Sequence, residues 1–342
     1  MIKNKSYIFL FLLLNVLVAG AQPPVNKARF FQEDKLITLD LSTDLKTLVS
    51  QKKTETWQPA NVTFYFPDSS VIKEDIKLSA RGQFRRTECY VPSIKLDFKN
   101  PTSPKLAKLG KLKLVVGCGT RTNYENLILK EFLVYKIYNL LTNMSFRVRL
   151  LRINYNDTRG KIKRYSQYGF LIEDVDQVAK RNNCKEVEKQ SFRTEKTDRQ
   201  QMTLVALFQY MVGNTDWAVP NYHNIKLMRI GTDTVSFPYA VPYDFDFAGV
   251  VDAPYAIPDE NLKIASVKER VYRGFPRTID ELEAALAIFR EKSEAIKKLL
   301  LNFDLLPKKD REIMLDYLDE FYETIDSKSL VKRIFIDDAR ID

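Results

Sequence analysis

Seven short segments that alternate apolar and polar residues dominate the chain between Lys35 and Val175. A period of two indicates β-strands that bury one face. One strong helical pattern interrupts these segments at residues 123–142, and its apolar side chains form a broad face. The sequence therefore predicts a mostly antiparallel sheet that carries one long helix. The seven segments read KLITLDL, NVTFYF, DIKLSARG, SIKLDFK, KLKLVVG, RVRLLRINY and YGFLIED.

The second half of the chain is mainly helical in pattern. Two strand-like segments, NIKLMRI and VSFPYAVPYD, lie among three predicted helices. Thr278 or Asp280 can cap the second helix, and Pro307 fits the first position of the third. The polar stretch 174–198 marks the junction between the halves. We expect one continuous α+β fold, with a β-rich part over 22–175, a mainly helical part over 176–342, and helices at 198–213, 278–303 and 307–326.

The N-terminus has the pattern of an export signal. Lys3 and Lys5 precede an apolar run from Tyr7 to Val18, and small residues follow it. A membrane anchor is the competing interpretation, but the run is shorter than the roughly 20 residues that a spanning helix needs. We interpret 1–21 as a cleaved signal and expect a periplasmic, cell-envelope or secreted protein without a stable transmembrane anchor.

Export permits disulfide formation, and the chain contains three cysteines, Cys89, Cys118 and Cys184. One disulfide and one thiol follow, and the sequence leaves the pairing open. No cluster of cysteine and histidine has the spacing of a structural zinc site. The formal charge is +10, and loss of Lys3 and Lys5 lowers it to +8. Because the positive charges are scattered among apolar residues, they indicate solvated faces, and we expect no nucleic-acid partner.

Residues 213–228, GNTDWAVPNYHNIKLM, and the later YAVPYDFDFAG concentrate oxygen-bearing side chains. Asp216 lies in a loop after a predicted helix, Asn224 directly precedes a strand, and Asp244 follows the next strand. A helix, loop, strand, turn and strand return the chain to its starting edge, so these three side chains are expected to lie close together. Carboxylate and amide oxygens are ligands that Mg²⁺ or Mn²⁺ prefers, which predicts metal-assisted phosphoryl transfer.

Two upstream residues have the chemistry to hold donor phosphates. Lys95 lies within the segment SIKLDFK, and Glu131 lies on the long predicted helix. A strand lysine paired with a helix glutamate can clamp the phosphates of a nucleotide. The alternative, purely structural interpretation is that the lysine is solvated and the glutamate pairs with a lysine of its own helix. The sequence leaves both interpretations open.

The order of SARGQFRR, SIKLDFK, LKEFLVYKIYNLL, YGFLIEDVD, GNTDWAVPNYHNIKLM, VPYDFDFAG and ERVYRGFPR resembles the CotH group of spore-coat-type atypical protein kinases. The segment GNTD…HN is also similar, more loosely, to HipA-like kinases. The resemblance covers roughly residues 35–330. It implies a protein-kinase-like two-lobed fold, Mg²⁺ with ATP or another nucleotide, and transfer to a hydroxyl of a protein or small molecule.

Residue by residue, the resemblance makes Asp216 the catalytic aspartate and makes Asn224 and Asp244 metal ligands. Asn221 competes with Asn224 as a ligand, because it stands five residues after Asp216. Asp246 is implied to support the metal.

The resemblance also makes residues 172–175 a hinge that can meet a purine, which includes Glu173 and Val175. Lys95 is the implied phosphate contact, and Arg81 is its alternative. The chain departs from ordinary kinases in having no GxGxxG motif, so no glycine-rich loop can be assigned. The lone His223 is interpreted as structural.

We therefore predict an exported phosphotransferase that takes a nucleotide and an unidentified hydroxyl acceptor. The alternative is a catalytically silent binding module of the cell envelope that keeps the same fold. A glycosidase or metal-dependent hydrolase that uses Asp244, Asp246 or Asp252 ranks third. A glycosidase needs two carboxyls roughly 5–9.5 Å apart across a sugar cleft, which disfavours that choice.

Overall fold

The computed structural model describes residues 30–107, 109–187, 192–231 and 235–340, so the predicted signal segment lies outside the described residues. Seven strands form a closed barrel, and three more form a small separate sheet. The barrel strands are β1 (Ile37–Thr43), β2 (Gln58–Tyr65), β3 (Val71–Arg81), β4 (Ser93–Phe98), β5 (Gly110–Val116), β6 (Val148–Asp157) and β7 (Tyr165–Ile172); the small sheet contains β8 (Cys184–Glu186), β9 (Ile225–Ile230) and β10 (Tyr239–Pro242).

Helices lie between the strands and occupy most of the C-terminal part. The long predicted helix forms as α3, and the three predicted C-terminal helices form as α5, α6 and α7, each within two residues of its expected bounds. Along the described residues, no helix is long and apolar enough to cross a membrane. The helices are α1 (Leu45–Ser50), α2 (Gln83–Glu88), α3 (Thr122–Leu141), α4 (Val175–Arg181), α5 (Arg199–Val212), α6 (Ile279–Leu301), α7 (Lys308–Asp326) and α8 (Lys328–Lys332).

The barrel is closed by a pairing that the local sequence pattern does not reveal. The strand order is β1-β2-β3-β4-β5-β7-β6, and β6 runs parallel to β1, with Leu41 opposite Tyr155. The prediction of a protein-kinase-like two-lobed fold is therefore wrong: the β-rich part is a closed barrel and not the sheet of a kinase N-lobe. The α+β class is retained. Closure satisfies the backbone groups of both edge strands, which an open sheet would leave unpaired.

Strand alternation places one apolar face inside the barrel. The inward residues of β1 and β6 include Leu39 and Ile153, and all members of this inner cluster are buried. The rings of Phe30, Phe64 and Phe66 pack against one another at one end of the barrel. Aromatic side chains therefore fill this end of the barrel, and the buried Leu45 and Leu48 of α1 belong to the same core.

A second core joins the outside of the barrel to the C-terminal helices. The helix α3 packs against β7 on one side and α6 on the other. The helix α5 is buried along almost its whole length. Its buried polar residues Gln201, Thr203 and Gln209 form side-chain hydrogen bonds, which offsets the cost of removing them from water. The loop that leaves α5 is therefore held on a rigid support.

Two helix ends account for local features of the sequence. Thr278 caps α6 in a capping box with Glu281, so Thr278 and not Asp280 is the cap, while Pro307 lies at the N-cap of α7 and not one position inside. Gly213 ends α5 with φ 67°, and the hydroxyl of Tyr317 lies where a side chain at this position would be. Only glycine meets both conditions at this helix end.

Cys89 and Cys118 form a disulfide, and the thiol of Cys184 is free and buried. The bond joins the residue after α2 to the segment between β5 and α3. A disulfide requires a short distance between two Cβ atoms. These two cysteines lie 29 residues apart, so the sequence could not show that they are close in space.

Candidate functional site

The small sheet brings three predicted site residues to one end of the β9–β10 hairpin. Pro242 pairs with Ile225, and the next backbone hydrogen bond runs from the N–H of Tyr243 to the carbonyl oxygen of Asn224, at 3.0 Å. Asn224 and Asp244 therefore flank the open end of this hairpin. The loop from α5 returns to the same place and carries Asp216.

Asp216 and Asn224 are in direct contact. The side-chain amide of Asn224 donates to the Oδ2 atom of Asp216 at 2.9 Å and to its backbone carbonyl at 2.8 Å. The Nε2 atom of His223 lies 2.6 Å from Oδ1 of the same carboxylate. Asn221 accepts a hydrogen bond from the backbone of His223 and does not reach Asp216. The geometry thus favours Asn224 over Asn221, and it pairs His223 with the carboxylate of Asp216, a contact that the sequence did not predict.

Asn224 and Asp244 both have left-handed backbone conformations, with φ values of 51° and 66°. Such values are uncommon outside glycine, although asparagine and aspartate adopt them more readily than other residues. Strained backbone of this kind persists where the surrounding structure enforces it, and it is concentrated at functional sites. Here the N–H of Asp244 donates to the hydroxyl oxygen of Tyr135 on α3 at 2.8 Å, which fixes that conformation.

A cationic cluster lies beside Asp244 and consists of Arg81, Lys95, Lys113 and Lys226. Lys95 and Lys113 are directly opposite each other on β4 and β5, on the outer face of the barrel. The Nζ atom of Lys113 lies 4.3 Å from the centre of the Tyr243 ring. The pKa of Lys113 is lowered to about 8, mainly by burial and also by the charges of Arg81, Lys226 and Lys95, while Asp244 acts in the opposite direction. Positive charge therefore exceeds negative charge at the ammonium of Lys113.

A second buried cluster surrounds the guanidinium of Arg85 on α2. Its NH2 group lies 3.0 Å from Oδ2 of Asp246 and 3.6 Å from Oε2 of Glu131. The hydroxyl of Tyr255 donates to the same oxygen of Asp246 at 3.2 Å. Burial raises the pKa of Glu131 well above its usual value, and the charges of Asp246 and Asp244 act in the same direction. Burial also raises the pKa of Asp246, and Arg85 opposes that shift.

The predicted pairing of Lys95 with Glu131 does not form. Among the described residues Glu131 forms its ion pair with Arg85, and none links it to Lys95. Lys95 instead belongs to the cationic cluster on the outer barrel face, with Arg81 near it. Asp246 is held by Arg85 and Tyr255, so both its charge and its position are tied to the second cluster.

The predicted hinge has a structural network of its own. Glu173 is buried and forms an ion pair with Arg181 at 3.0 Å. Its backbone N–H donates to the carbonyl oxygen of Arg147 and is therefore not available to a purine. Val175 begins α4 and packs against the second core. Asp174, between them, is an electrostatic neighbour of Lys113, so the hinge lies next to the cationic cluster.

The acidic side chains of this region do not form a metal cage by themselves. In the described part of the chain, no group of three or more histidine, cysteine, aspartate or glutamate side chains has the arrangement to hold a metal ion. Mg²⁺ usually takes one or two carboxylates together with substrate phosphates and waters, so such a cage is not required. The carboxylate of Asp244 accepts no hydrogen bond from the described residues, and Asn224 points its amide nitrogen at Asp216. Oxygens of both residues therefore fit such a partial set of ligands.

Lys113, Lys226 and Arg85 were not predicted as site residues. Lys113 lies in KLKLVVG, where its outward position repeats that of Lys95 in SIKLDFK, and this repetition was the only local signal. Arg85 lies within the segment SARGQFRR that pointed to Arg81. Comparison with known proteins adds nothing to these assignments, because no family model matches the chain and no curated protein is similar to it.

Proposed function

We propose that the cleft between the outer barrel face and the β9–β10 hairpin binds a nucleotide with a divalent metal and transfers a phosphoryl group to a hydroxyl. The observation that carries this proposal is the convergence of Arg81, Lys95, Lys226 and the carboxylate of Asp244 on Lys113. These half-buried cations attract anionic charge beyond that of Asp244 and Glu186, and a polyphosphate supplies it in compact form.

The cations have distinct positions in this proposal. Lys95 and Lys113 lie opposite each other on neighbouring strands, at a spacing of about 5 Å between Cβ atoms that suits two oxygens of one phosphate chain. Lys226 is also paired with Glu186 at 2.6 Å, which holds it in place beside the cleft. The ring of Tyr243, already in contact with Lys113, offers an apolar face on which a base can stack.

Asp244 and Asn224 would hold Mg²⁺ or Mn²⁺ together with the donor phosphates. A bound metal neutralises charge on the transferring group and makes the phosphorus more accessible to attack. Asp246 would act indirectly, because Arg85 and Tyr255 fix its carboxylate beside Asp244. Glu131 would help to hold Arg85 in place, since their side chains lie 3.6 Å apart.

Asp216 would orient the acceptor hydroxyl and take its proton. In the transfer, the acceptor oxygen forms a bond to the terminal phosphorus, the bond to the nucleoside diphosphate breaks, and the hydroxyl proton passes to the carboxylate. The contact with His223 at 2.6 Å offers a route for that proton onward to the solvent, since the histidine is half-exposed. Asn224 keeps the carboxylate in position through Oδ2.

The disulfide supports a cellular setting for this activity. Disulfides persist in oxidising compartments, so the bond between Cys89 and Cys118 agrees with an exported protein that acts in the envelope or outside the cell. The donor there is ATP or another nucleotide, and the acceptor is a hydroxyl of a protein or small molecule.

Nucleotide binding tests the cationic cluster directly. We expect Mg²⁺-ATP to bind in calorimetric titration and Lys113→Met to weaken it by about tenfold or more, the loss of one charge-assisted contact. Lys111→Met is the matched control, because Lys111 lies two residues earlier on the same outer face and is exposed. Equal affinity in the two variants would refute the assignment of Lys113.

The pH dependence of binding provides a second readout. Since the pKa of free Lys113 is lowered to about 8, its charge is present below that pH and is lost above it. Affinity for Mg²⁺-ATP should therefore fall as the pH rises through about 8, and Lys113→Met should remove this decline. A decline that persists in the variant would assign it to another group.

Turnover separates the enzyme from a silent binding module. We expect Asp216→Asn to abolish formation of the nucleoside diphosphate while nucleotide affinity changes by no more than about twofold, because Asp216 acts on the acceptor and not on the donor. Asp244→Asn should weaken metal-dependent binding. Tight binding by the unmodified protein with no nucleoside diphosphate formed, under any metal, would favour the silent module.

A further inference from the structure

A cavity of about 370 Å³ occupies the end of the barrel opposite the packed phenylalanine rings. It lies between α1, the segment before β4, and the β6–β7 hairpin. Its floor is apolar and includes Leu48, Val91 and Ile94. This volume is within the range of about 300–1,000 Å³ that small-molecule sites occupy.

One residue that lines this cavity has a polar atom without a partner. Tyr155 lines the cavity and is completely buried, and its hydroxyl has no hydrogen-bond partner among the described residues. A buried hydroxyl left unpaired costs free energy, so such a group in a native protein indicates a missing partner. Burial raises the pKa of Tyr155 well above its usual value, which keeps the hydroxyl protonated and able to donate.

Aromatic rings define the shape of the site. The rings of Tyr155 and Tyr165 are stacked, with centres 4.6 Å apart and an angle of 15° between their planes. Tyr90, at the rim, is 58% exposed and is an electrostatic neighbour of Tyr165. Flat faces at the wall and the rim favour a planar ligand, because aromatic rings pack best in offset-stacked or edge-to-face contacts.

The charge at the rim has one sign. Lys163 and Arg164 line the opening, and no carboxylate belongs to the described lining residues. The acidic partner of Arg164 is Asp40 at 3.9 Å, and the arginine side chain is mostly exposed whereas the aspartate is partly buried and accepts hydrogen bonds from Tyr65 and Asn154. A long ion pair to an exposed arginine is weak, so the guanidinium can attract an anion.

We propose that this end of the barrel binds a small planar aromatic carboxylate. The ring would enter the apolar cavity beside Tyr165, a polar substituent or the carboxylate would accept a hydrogen bond from Tyr155, and Lys163 and Arg164 would attract the negative charge. The site is distinct from the cationic cluster: Ile94 faces the barrel interior, whereas Lys95, the next residue, faces the outer cleft.

The probe for this site is 2-naphthoate, titrated into the full mature protein and followed by saturation-transfer NMR and calorimetry. We expect saturable binding to one site, and binding at least about tenfold weaker for cyclohexanecarboxylate and for 2-naphthylmethylamine, which lack the flat ring system and the negative charge respectively. Comparable affinity for all three compounds, or weak non-saturable binding, would overturn the proposal.

Three variants identify the residues. Tyr155→Phe removes only the unpaired hydroxyl and should weaken 2-naphthoate by about fivefold to tenfold without lowering thermal stability. Arg164→Glu should weaken it further, while Arg159→Glu, an exposed arginine of the same hairpin that does not line the cavity, is the matched control. Unchanged affinity in Tyr155→Phe and Arg164→Glu would refute the site.

A blocking variant guards against surface binding. Leu48→Trp places a larger side chain into the cavity and should abolish binding of 2-naphthoate, and circular dichroism checks that the barrel remains folded. Retained binding in a folded Leu48→Trp protein would contradict the proposal, since the ring would then be bound elsewhere. Mg²⁺-ATP binding should be the same in all of these variants.

Discussion

Arg85 is the residue whose removal most directly tests the electrostatics of the buried cluster. Its guanidinium is the only cation in direct contact with the carboxylates of Asp246, at 3.0 Å, and Glu131, at 3.6 Å, among the described residues. It also donates to the carbonyl oxygen of Val116. Replacing it with methionine keeps most of its length and removes the charge.

The expected loss follows from leaving two buried acids without their cation. Breaking a buried ion pair from one side costs about 3–5 kcal/mol, because the remaining charge keeps its desolvation penalty. Arg86→Met is the matched control: its guanidinium is partly exposed, its ion pair to Glu55 is 3.5 Å long, and such exposed pairs are worth about 0–1 kcal/mol. The free energy of unfolding should therefore be about 3 kcal/mol lower for Arg85→Met than for Arg86→Met, which is roughly a hundredfold difference in the unfolding equilibrium constant.

The pH dependence of this loss has a definite sign. Burial raises the pKa of Glu131 and of Asp246 in the folded state, so the fold binds these protons more tightly than the unfolded chain. Their contribution to stability is full below the unfolded values of 4.5 and 3.8 and is lost as the pH rises through the folded values. Because Arg85 lowers both pKa values, Arg85→Met should make stability decline more steeply above about pH 4.

Urea unfolding, followed by tryptophan fluorescence at several pH values, measures both effects. In a Glu131→Gln background, Arg85→Met should cost about 1–2 kcal/mol less, because one of the two stranded charges is absent. The reasoning is refuted if Arg85→Met and Arg86→Met have equal effects at pH 7, or if acidification to about pH 5 fails to narrow the difference between them.

Three further predictions concern the rest of the fold. Gly213→Ala should destabilise the protein by several kcal/mol, whereas Gly160→Ala should cost only about 1 kcal/mol. Both glycines have positive φ, but only a side chain at position 213 would meet a tyrosine hydroxyl. Equal losses in urea unfolding would contradict this. Replacing Cys89 and Cys118 with alanine should lower the free energy of unfolding by about 3–4 kcal/mol, which is the loop-entropy value for a separation of 29 residues. Unchanged stability after reduction of the disulfide would argue against this prediction. The pKa of Glu281 is lowered to about 2, mainly by its hydrogen bond with Arg199. Its contribution to the free energy of unfolding is therefore present above about pH 4.5 and is lost as the pH falls towards 2. Glu281→Gln should make the free energy of unfolding depend less on pH in this acidic range.

Much of the secondary structure was predictable because it depends on local patterns. Each of the seven alternating segments corresponds to a barrel strand, and the four strong helical patterns correspond to α3, α5, α6 and α7. The short helices α1 and α2 were missed, since six residues carry too little periodicity to be detected. The helix α2 matters most, because it carries Arg85 into the centre of the molecule.

The candidate site was predictable in part. Asp216 contacts Asn224, and Asp244 lies at the same end of the hairpin as Asn224, because short connections return the chain to the same edge. That path is visible in the sequence. The partner of Glu131 was not, since the choice between Lys95 and Arg85 depends on which face of the barrel each residue occupies. The contact between His223 and Asp216 depends on a loop conformation that residue type alone does not specify.

The sequence by itself determined the seven barrel strands, the long helices and the grouping of oxygen-bearing residues around the β9–β10 hairpin, and it left the cap of α6 open between Thr278 and Asp280. Only the tertiary structure decided that β1 and β6 pair in parallel to close a barrel, that Cys89 pairs with Cys118, and that Lys113 of β5 lies near Asp244. The physical reason is sequence separation. Periodicity and capping are set by neighbours within a few residues. Barrel closure and charge clusters depend on contacts between segments that can lie more than a hundred residues apart. For those contacts, the free energy of packing the whole core selects one arrangement.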